Sequence, residues 1–142
     1  MVGGANSDPR WSGGMTDETL LHRQVHPSWC QDGEITSQVF RPTSKDKNKL
    51  SVYDGDKIAA EESWRHYSSE LGYLSIGVMS VSVKECTALS LTPNPDPTTH
   101  PAHALIDFGQ DGKSQASKKA EKLKQHAKAR GWQYLQDKPS AE

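Results

Sequence analysis

Four residues of the chain combine side-chain types that can hold an anionic group and work on it: Arg23, Ser37, Ser51 and His103. A guanidinium offers a planar fork that matches phosphate or carboxylate, hydroxyls donate to the same oxygens, and an imidazole exchanges a proton near neutral pH. Brought to one sheet face, they make a small enzyme for a nucleotide or phosphorylated substrate. In it Arg23 is the anion clamp, Ser37 and Ser51 are hydroxyl donors, and His103 is the acid or base. The competing reading takes the serines as ordinary strand residues and Arg23 as half of a structural salt bridge.

A second set, His22, His26, Cys30, His100 and His103, supplies nitrogen and sulfur donors of the kind zinc takes. Their spacing matches no zinc pattern, and no metal is expected. Cys30 and Cys86 lie far apart and read as buried reduced thiols. Gly-rich phosphate loops, the GxSxG elbow and HExxH are absent, and no cofactor is expected.

The third candidate is electrostatic. Residues 113–130 hold seven basic side chains and one acidic one, a local charge of +6 in a chain of net charge −1. Lys118, Lys119, Lys122, Lys128 and Arg130 can track a phosphate backbone, with Trp132 and Tyr134 placed for stacking. A lysine-rich helix serves equally well as a solvated face. With no catalytic motif in the chain, the first expectation is a non-catalytic binding or accessory protein. It would engage a protein or nucleic-acid partner, and the Arg/Ser/His enzyme is the alternative.

The elements that must position these groups follow from periodicity. Leu20 to His26 reads as a strand ending at Pro27, Ile35 to Phe40 as a β-branched and aromatic strand, and Leu50 to Tyr53 as its hairpin or meander partner. Asp56 is placed to cap a helix whose apolar face is Ala60, Trp64, Tyr67 and Leu71, with Gly72 as its left-handed stop. Leu74, Ile76 and Val78, then Met79, Val81 and Val83, predict a central strand with a bulge. A helical turn over Lys84 to Leu89 leads into a proline-rich extended connection from Pro93 to Pro101 and a last strand over His103 to Phe108. Ser114 is placed to cap a final helix with an Ala116, Ala120, Leu123, Ala127 stripe, closed by Gly131.

Together these predict an α+β domain with a small mixed or antiparallel sheet of about five short strands and two main helices. Its bounds are residues 19–135, between a disordered polar N-terminus over 1–18 and a disordered tail over 136–142. One core is what 142 residues allow. No apolar run reaches the ~18–20 residues of a membrane helix, and the glycine-rich start has no signal-peptide core, so a cytoplasmic location and no membrane partner are expected.

Three stretches, Leu21 to Pro27, Thr36 to Phe40 with Leu50-Ser51-Val52, and Pro101 to Ile106, resemble a widespread type of small uncharacterised bacterial protein. The resemblance spans about Leu20 to Trp132. It implies that Arg23, Ser37, Phe40, Ser51 and His103 belong to a shared pattern, and it implies no activity. An arginine on a first strand followed by a Ser/Thr strand is also loosely the arrangement by which ADP-ribosyltransferases hold NAD. The catalytic Glu motif of those enzymes has no counterpart here.

Overall fold

A computed structural model describes residues 15–42 and 47–136. Its centre is a six-stranded antiparallel sheet ordered β6-β7-β4-β1-β5-β8. The strands are β1 (Leu20–Val25), β4 (Lys49–Asp54), β5 (Gly77–Ser82), β6 (Thr92–Pro95), β7 (His103–Asp107) and β8 (Tyr134–Leu135). A separate two-stranded ribbon joins β2 (Cys30–Gln31) to β3 (Glu34–Ile35). The helices are α1 (Ala60–Arg65), α2 (Val83–Ala88) and α3 (Lys113–Arg130).

α3 covers one face. Its buried Ala116, Ala120, Leu123 and Ala127 form a stripe of small residues that brings the helix close to the core of Leu21, Val25, Val39, Phe40, Leu50 and Ile106. α1 covers part of the other face, so β5 is buried on both sides along all six residues. That double burial explains the hydrophobic pattern from Val78 to Val83. No bulge is present, since β5 pairs with β1 in unbroken register from Leu20↔Ser82 to Val25↔Gly77. Apolar residues occur at successive positions because both faces need them.

The segment from Ile35 to Phe40 is not one strand. Only Glu34–Ile35 pairs, and Ser37–Phe40 forms a 3-10 turn that buries Val39 and Phe40. The Thr36 hydroxyl accepts from the Gln38 N–H and donates to the Trp29 carbonyl, so local hydroxyl bonds displace the β preference of the sequence. The expected hairpin with β4 is therefore absent, and β4 pairs with β1 and β7 instead.

Asp56 does not cap α1. It accepts from the Thr19 hydroxyl at 2.6 Å, and the helix starts after Ala59 with no side-chain cap. α1 runs into a wider π-helical turn over His66–Glu70, where the Leu71 N–H reaches the His66 carbonyl, and Gly72 ends it at φ +80°. The wide turn breaks the α-helical face, leaving Leu71 49 % exposed where burial is predicted.

The proline-rich connection contains a strand. Pro93 and Pro95 sit on the edge strand β6 opposite Ile106 and Ala104, and proline's missing donor is tolerated at an edge. β7 is not the last strand, because the short β8 pairs with β5 beyond α3. α3 begins after Gly112 with no side-chain cap, so Ser114 does not perform that task. Ser82 caps α2 through a reciprocal capping box with Glu85. Met15, assigned by sequence to the polar terminus, is buried in the core. Residues 16–18 of that terminus and Gln136 of the expected tail are described too, the Asp17 carbonyl accepting from the Lys84 N–H and the Gln136 N–H donating to the Ile76 carbonyl, while residues 1–14 and 137–142 lie outside the described residues.

Candidate functional site

Strand alternation places one polar row across the sheet. His22 stands opposite Ser80 on β5 and opposite Tyr53 on β4, and Tyr53 stands opposite His103 on β7. Ser80, His22, Tyr53 and His103 therefore leave the same face, away from α3. Over this row lie His66 and Tyr67 from the π turn, Leu71 and Tyr73 beyond it, and Thr99 and His100 from the β6–β7 loop. Together with His22, Tyr53, His103 and the neighbouring Arg23, Gln24, Ser51 and Val52 they line a cavity of about 300 Å³.

His103 is oriented by Asp96. Its Nδ1 lies 3.1 Å from both the Asp96 carbonyl and the Asp96 Oδ2, two oxygens that only accept, so Nδ1 carries the proton and donates it. The neutral ring then has its lone pair on Nε2. The carboxylate is itself tied down, since its Oδ1 accepts from the Thr98 hydroxyl. The backbone closes the same loop through the Asp96 N–H to the His103 carbonyl at 2.8 Å.

Tyr53 shares a 2.7 Å hydrogen bond with His66 Nδ1. Burial pushes the Tyr53 hydroxyl up to about 12, with Tyr67 and Glu70 adding to the shift, so it keeps its proton at neutral pH. His100 packs on His66 with ring centroids 4.3 Å apart, and its Nδ1 accepts the Ala102 N–H. Burial, then His66 and His103, lowers its affinity for a proton, although Glu70 opposes this. At the inner end His22 is held at 2.7 Å from the Ser80 hydroxyl and is pushed down to about 4 by burial, so it is neutral at pH 7. Beside it, Gln24 donates to the Ser63 hydroxyl and accepts from that of Ser75, which satisfies a buried amide and pins α1 to the sheet.

The four residues that the sequence grouped do not form one cluster. Arg23 shares the sheet face of Leu21 and Val25, opposite to that of His103, because the two positions differ in strand parity. The β1–β4 ladder spans only Leu21↔Asp54 and His22↔Tyr53. Where the strands part, the guanidinium donates to the carbonyls of Val39 at 2.8 Å and Ser51 at 3.0 Å, lies over Trp29, and so reaches the cavity wall. Ser51 lines the cavity but stands opposite Leu105, two pairs along from Tyr53↔His103, and no hydrogen bond joins Ser51 to His103. Ser37 lies apart on the 3-10 turn, where it accepts from Arg41.

Four basic residues of the helix are held in ion pairs, three to residues outside it and one, Lys124, to Glu121 of the helix itself. Lys119 pairs with Asp111, Lys124 with Glu121, Lys128 with Glu34, and Arg130 with Glu85. Arg130 also donates to the Ser80 carbonyl, beyond the reach of the two-residue β8. Trp132 packs against the core and over Gly77, so it is not an open stacking surface. Lys118 and Lys122 remain exposed.

Comparison with protein-family models, with curated proteins and with solved structures returned no match for this chain. The site therefore rests on geometry alone. Among the described residues no set of three or more His, Cys, Asp or Glu side chains is arranged to hold a metal ion. His26, grouped by sequence with the possible ligands, instead accepts from the Ser28 N–H at the start of a 3-10 turn. Cys30 and Cys86 are free thiols, Cys86 buried and pushed up to about 12 by that burial. No helix among the described residues is long and apolar enough to cross a membrane.

Sequence reasoning missed Tyr53, His66, Tyr67, Tyr73 and Asp96. A usable signal was present at His22 and Gln24, whose alternation in β1 puts two polar side chains on one face, and both are buried. Their burial shows that this face is covered and still polar.

Proposed function

We propose that the protein is a small enzyme that moves a proton on a small-molecule substrate held in the His/Tyr cavity. The observation that carries this reading is the pairing of His103 with Asp96 over the same cavity as the Tyr53–His66 pair. His103 Nε2 is the base, since Asp96 holds the proton on the other nitrogen. The Tyr53 hydroxyl, backed by His66, is a donor to charge that develops on the substrate. Two proton-handling groups in different environments facing one pocket support acid–base work better than simple binding. With no serine hydrogen-bonded to His103, acid–base chemistry is favoured over a covalent serine intermediate.

This reading takes the enzyme alternative over the accessory protein, because four of the basic residues on α3 are engaged in ion pairs while the cavity is built from groups with chemistry to offer. The test is incubation of a small-metabolite extract with the protein in D2O, followed by mass spectrometry. A metabolite that gains deuterium or is converted by the wild type and not by His103→Gln supports the reading. Metabolites that bind the protein and are left chemically unchanged, with no deuterium gained, would make it a binding protein.

A further inference from the structure

Resting on the reading of His103 as the base of this cavity, we infer that His100 is a second catalytic residue, a neutral hydrogen-bond donor to the substrate oxygen that gains charge as His103 removes a proton. The substrate class is a carbonyl compound that ionises at the carbon next to its C=O group. A single turn of the chain supplies both histidines.

His100, Pro101, Ala102 and His103 form a tight turn closed by the His103 N–H on the His100 carbonyl at 3.0 Å. Proline at its second position suits such a turn, which holds the first and last Cα atoms within about 7 Å of each other. Both histidines line the cavity, and both meet the Tyr53 ring edge-on, with centroids 5.8 Å and 6.5 Å away. The two rings are thus offered to neighbouring atoms of a guest.

The turn gives these rings opposite tautomers. Nδ1 of His100 accepts the Ala102 N–H at 3.0 Å, so the neutral ring carries its proton on Nε2. Nδ1 of His103 donates to Asp96, which leaves a lone pair on Nε2. Among the described residues neither Nε2 has a hydrogen-bond partner, so each is left to meet a guest. A second proton on His100 would turn an N–H toward the Ala102 N–H and put charge beside His66, 4.3 Å away between centroids, and near His103. Glu70 acts the other way and is outweighed. His100 therefore presents a donor where His103 presents an acceptor.

A base and a neutral donor this close match a carbonyl group and the C–H beside it. Nε2 of His103 takes the proton, the C–H electron pair becomes the C=C bond of an enolate, and the C=O pair moves onto oxygen. The Nε2–H of His100, with the Tyr53 hydroxyl, holds that oxygen and keeps its own proton. The His103 imidazolium, paired with Asp96, then returns a proton to carbon, so the cycle needs no co-reactant. In D2O the returned proton is a deuteron.

The test extends the D2O incubation of the small-metabolite extract to His100→Asn and His100→Gln of the full chain, with fragment masses locating the deuterium. Asn keeps an acceptor for the N–H two residues on and lacks the outer N–H, whereas Gln carries an amide N–H near the Nε2 position. The wild type is expected to place deuterium on carbon next to a carbonyl, above a protein-free control. His100→Asn should lower that rate about a hundredfold and His100→Gln should recover part of it, with the urea unfolding midpoints of both near that of the wild type. Long-range ¹H–¹⁵N NMR of the wild type at neutral pH should show His100 protonated on Nε2 alone. A proton on Nδ1 of His100, exchange as fast in His100→Asn as in the wild type, or equal loss in both variants with lowered unfolding midpoints would overturn the role of His100. Labelling or conversion confined to positions away from a carbonyl would overturn the substrate class. Each of these results leaves His103 standing as the base, whereas a wild type that neither labels nor converts any metabolite ends the reading on which the inference rests.

Discussion

Tyr53 and His103 stand directly opposite one another on β4 and β7, with ring centroids 6.5 Å apart, and each is bonded to a different second group. Tyr53 is held by His66 and His103 by Asp96. One element of each pair lies on the sheet and the other comes from the π turn or the β6–β7 loop, so the site exists only when three separate parts of the fold are in place.

His22 links that site to stability. Its folded value of about 4, against 6.5 for a free histidine, means that the unfolded chain binds the extra proton between those values. Stability is thus fully present above pH 6.5 and falls as pH drops toward 4. A displacement of this size corresponds to about 3 kcal/mol. Denaturant unfolding at a series of pH values is expected to show this loss in the wild type and a flatter profile between pH 6.5 and 4 in His22→Gln.

Tyr53→Phe removes the hydroxyl and leaves His66 Nδ1 without that partner. A cost of about 1 kcal/mol is expected in urea unfolding. A change in the side-chain ¹⁵N shifts of His66, and not of His26, would place the effect at the pair.

Gly55 and Gly77 are fixed by backbone contact. A Cβ at Gly55 would lie 2.5 Å from the Leu20 carbonyl oxygen and 3.0 Å from His22 Nε2, and one at Gly77 would lie 2.5 Å from the Tyr134 carbonyl oxygen. Gly55→Ala and Gly77→Ala are each expected to lower stability by about 1–3 kcal/mol, measured by chemical denaturation. Gly55→Ala is also expected to disturb the His22 ring resonances, whereas Gly77→Ala should act on Trp132 fluorescence.

On α3 the paired and the exposed basic residues should separate. Arg130→Gln leaves Glu85 without its two guanidinium bonds and the Ser80 carbonyl without its donor. A loss of about 1.5–3 kcal/mol is expected, while Lys118→Gln and Lys122→Gln should stay within about 0.5 kcal/mol. Thermal unfolding of the three variants side by side makes the comparison.

The α+β class, β1, β4, β7 and the α3 stripe were legible because each follows a single rule of periodicity that tertiary packing left intact. The segments that misled were those where a second rule won. Hydroxyl bonding by Thr36 turned a β-rich stretch into a 3-10 turn, double burial of β5 imitated a bulge, and the π turn moved Leu71 off the buried face. The site was half legible. Arg23, Ser51 and His103 were singled out by type and line the cavity with His100, Arg23 reaching its wall from a backbone position of opposite parity, while Ser37 is remote. Tyr53, His66 and Asp96 carried no local mark, because their meaning lies in cross-strand register and in a loop that returns 7 residues later to its own histidine.

The tautomer of His103 is the most direct measure of whether this cavity is an acid–base site. Long-range ¹H–¹⁵N NMR of the histidine rings at a pH where His103 is neutral should show the proton on Nδ1 and an unprotonated Nε2, with the Nε2 resonance moving when a ligand occupies the cavity. A proton on Nε2, or an Nε2 resonance indifferent to a ligand shown to occupy the cavity, would contradict the role of His103 as the base.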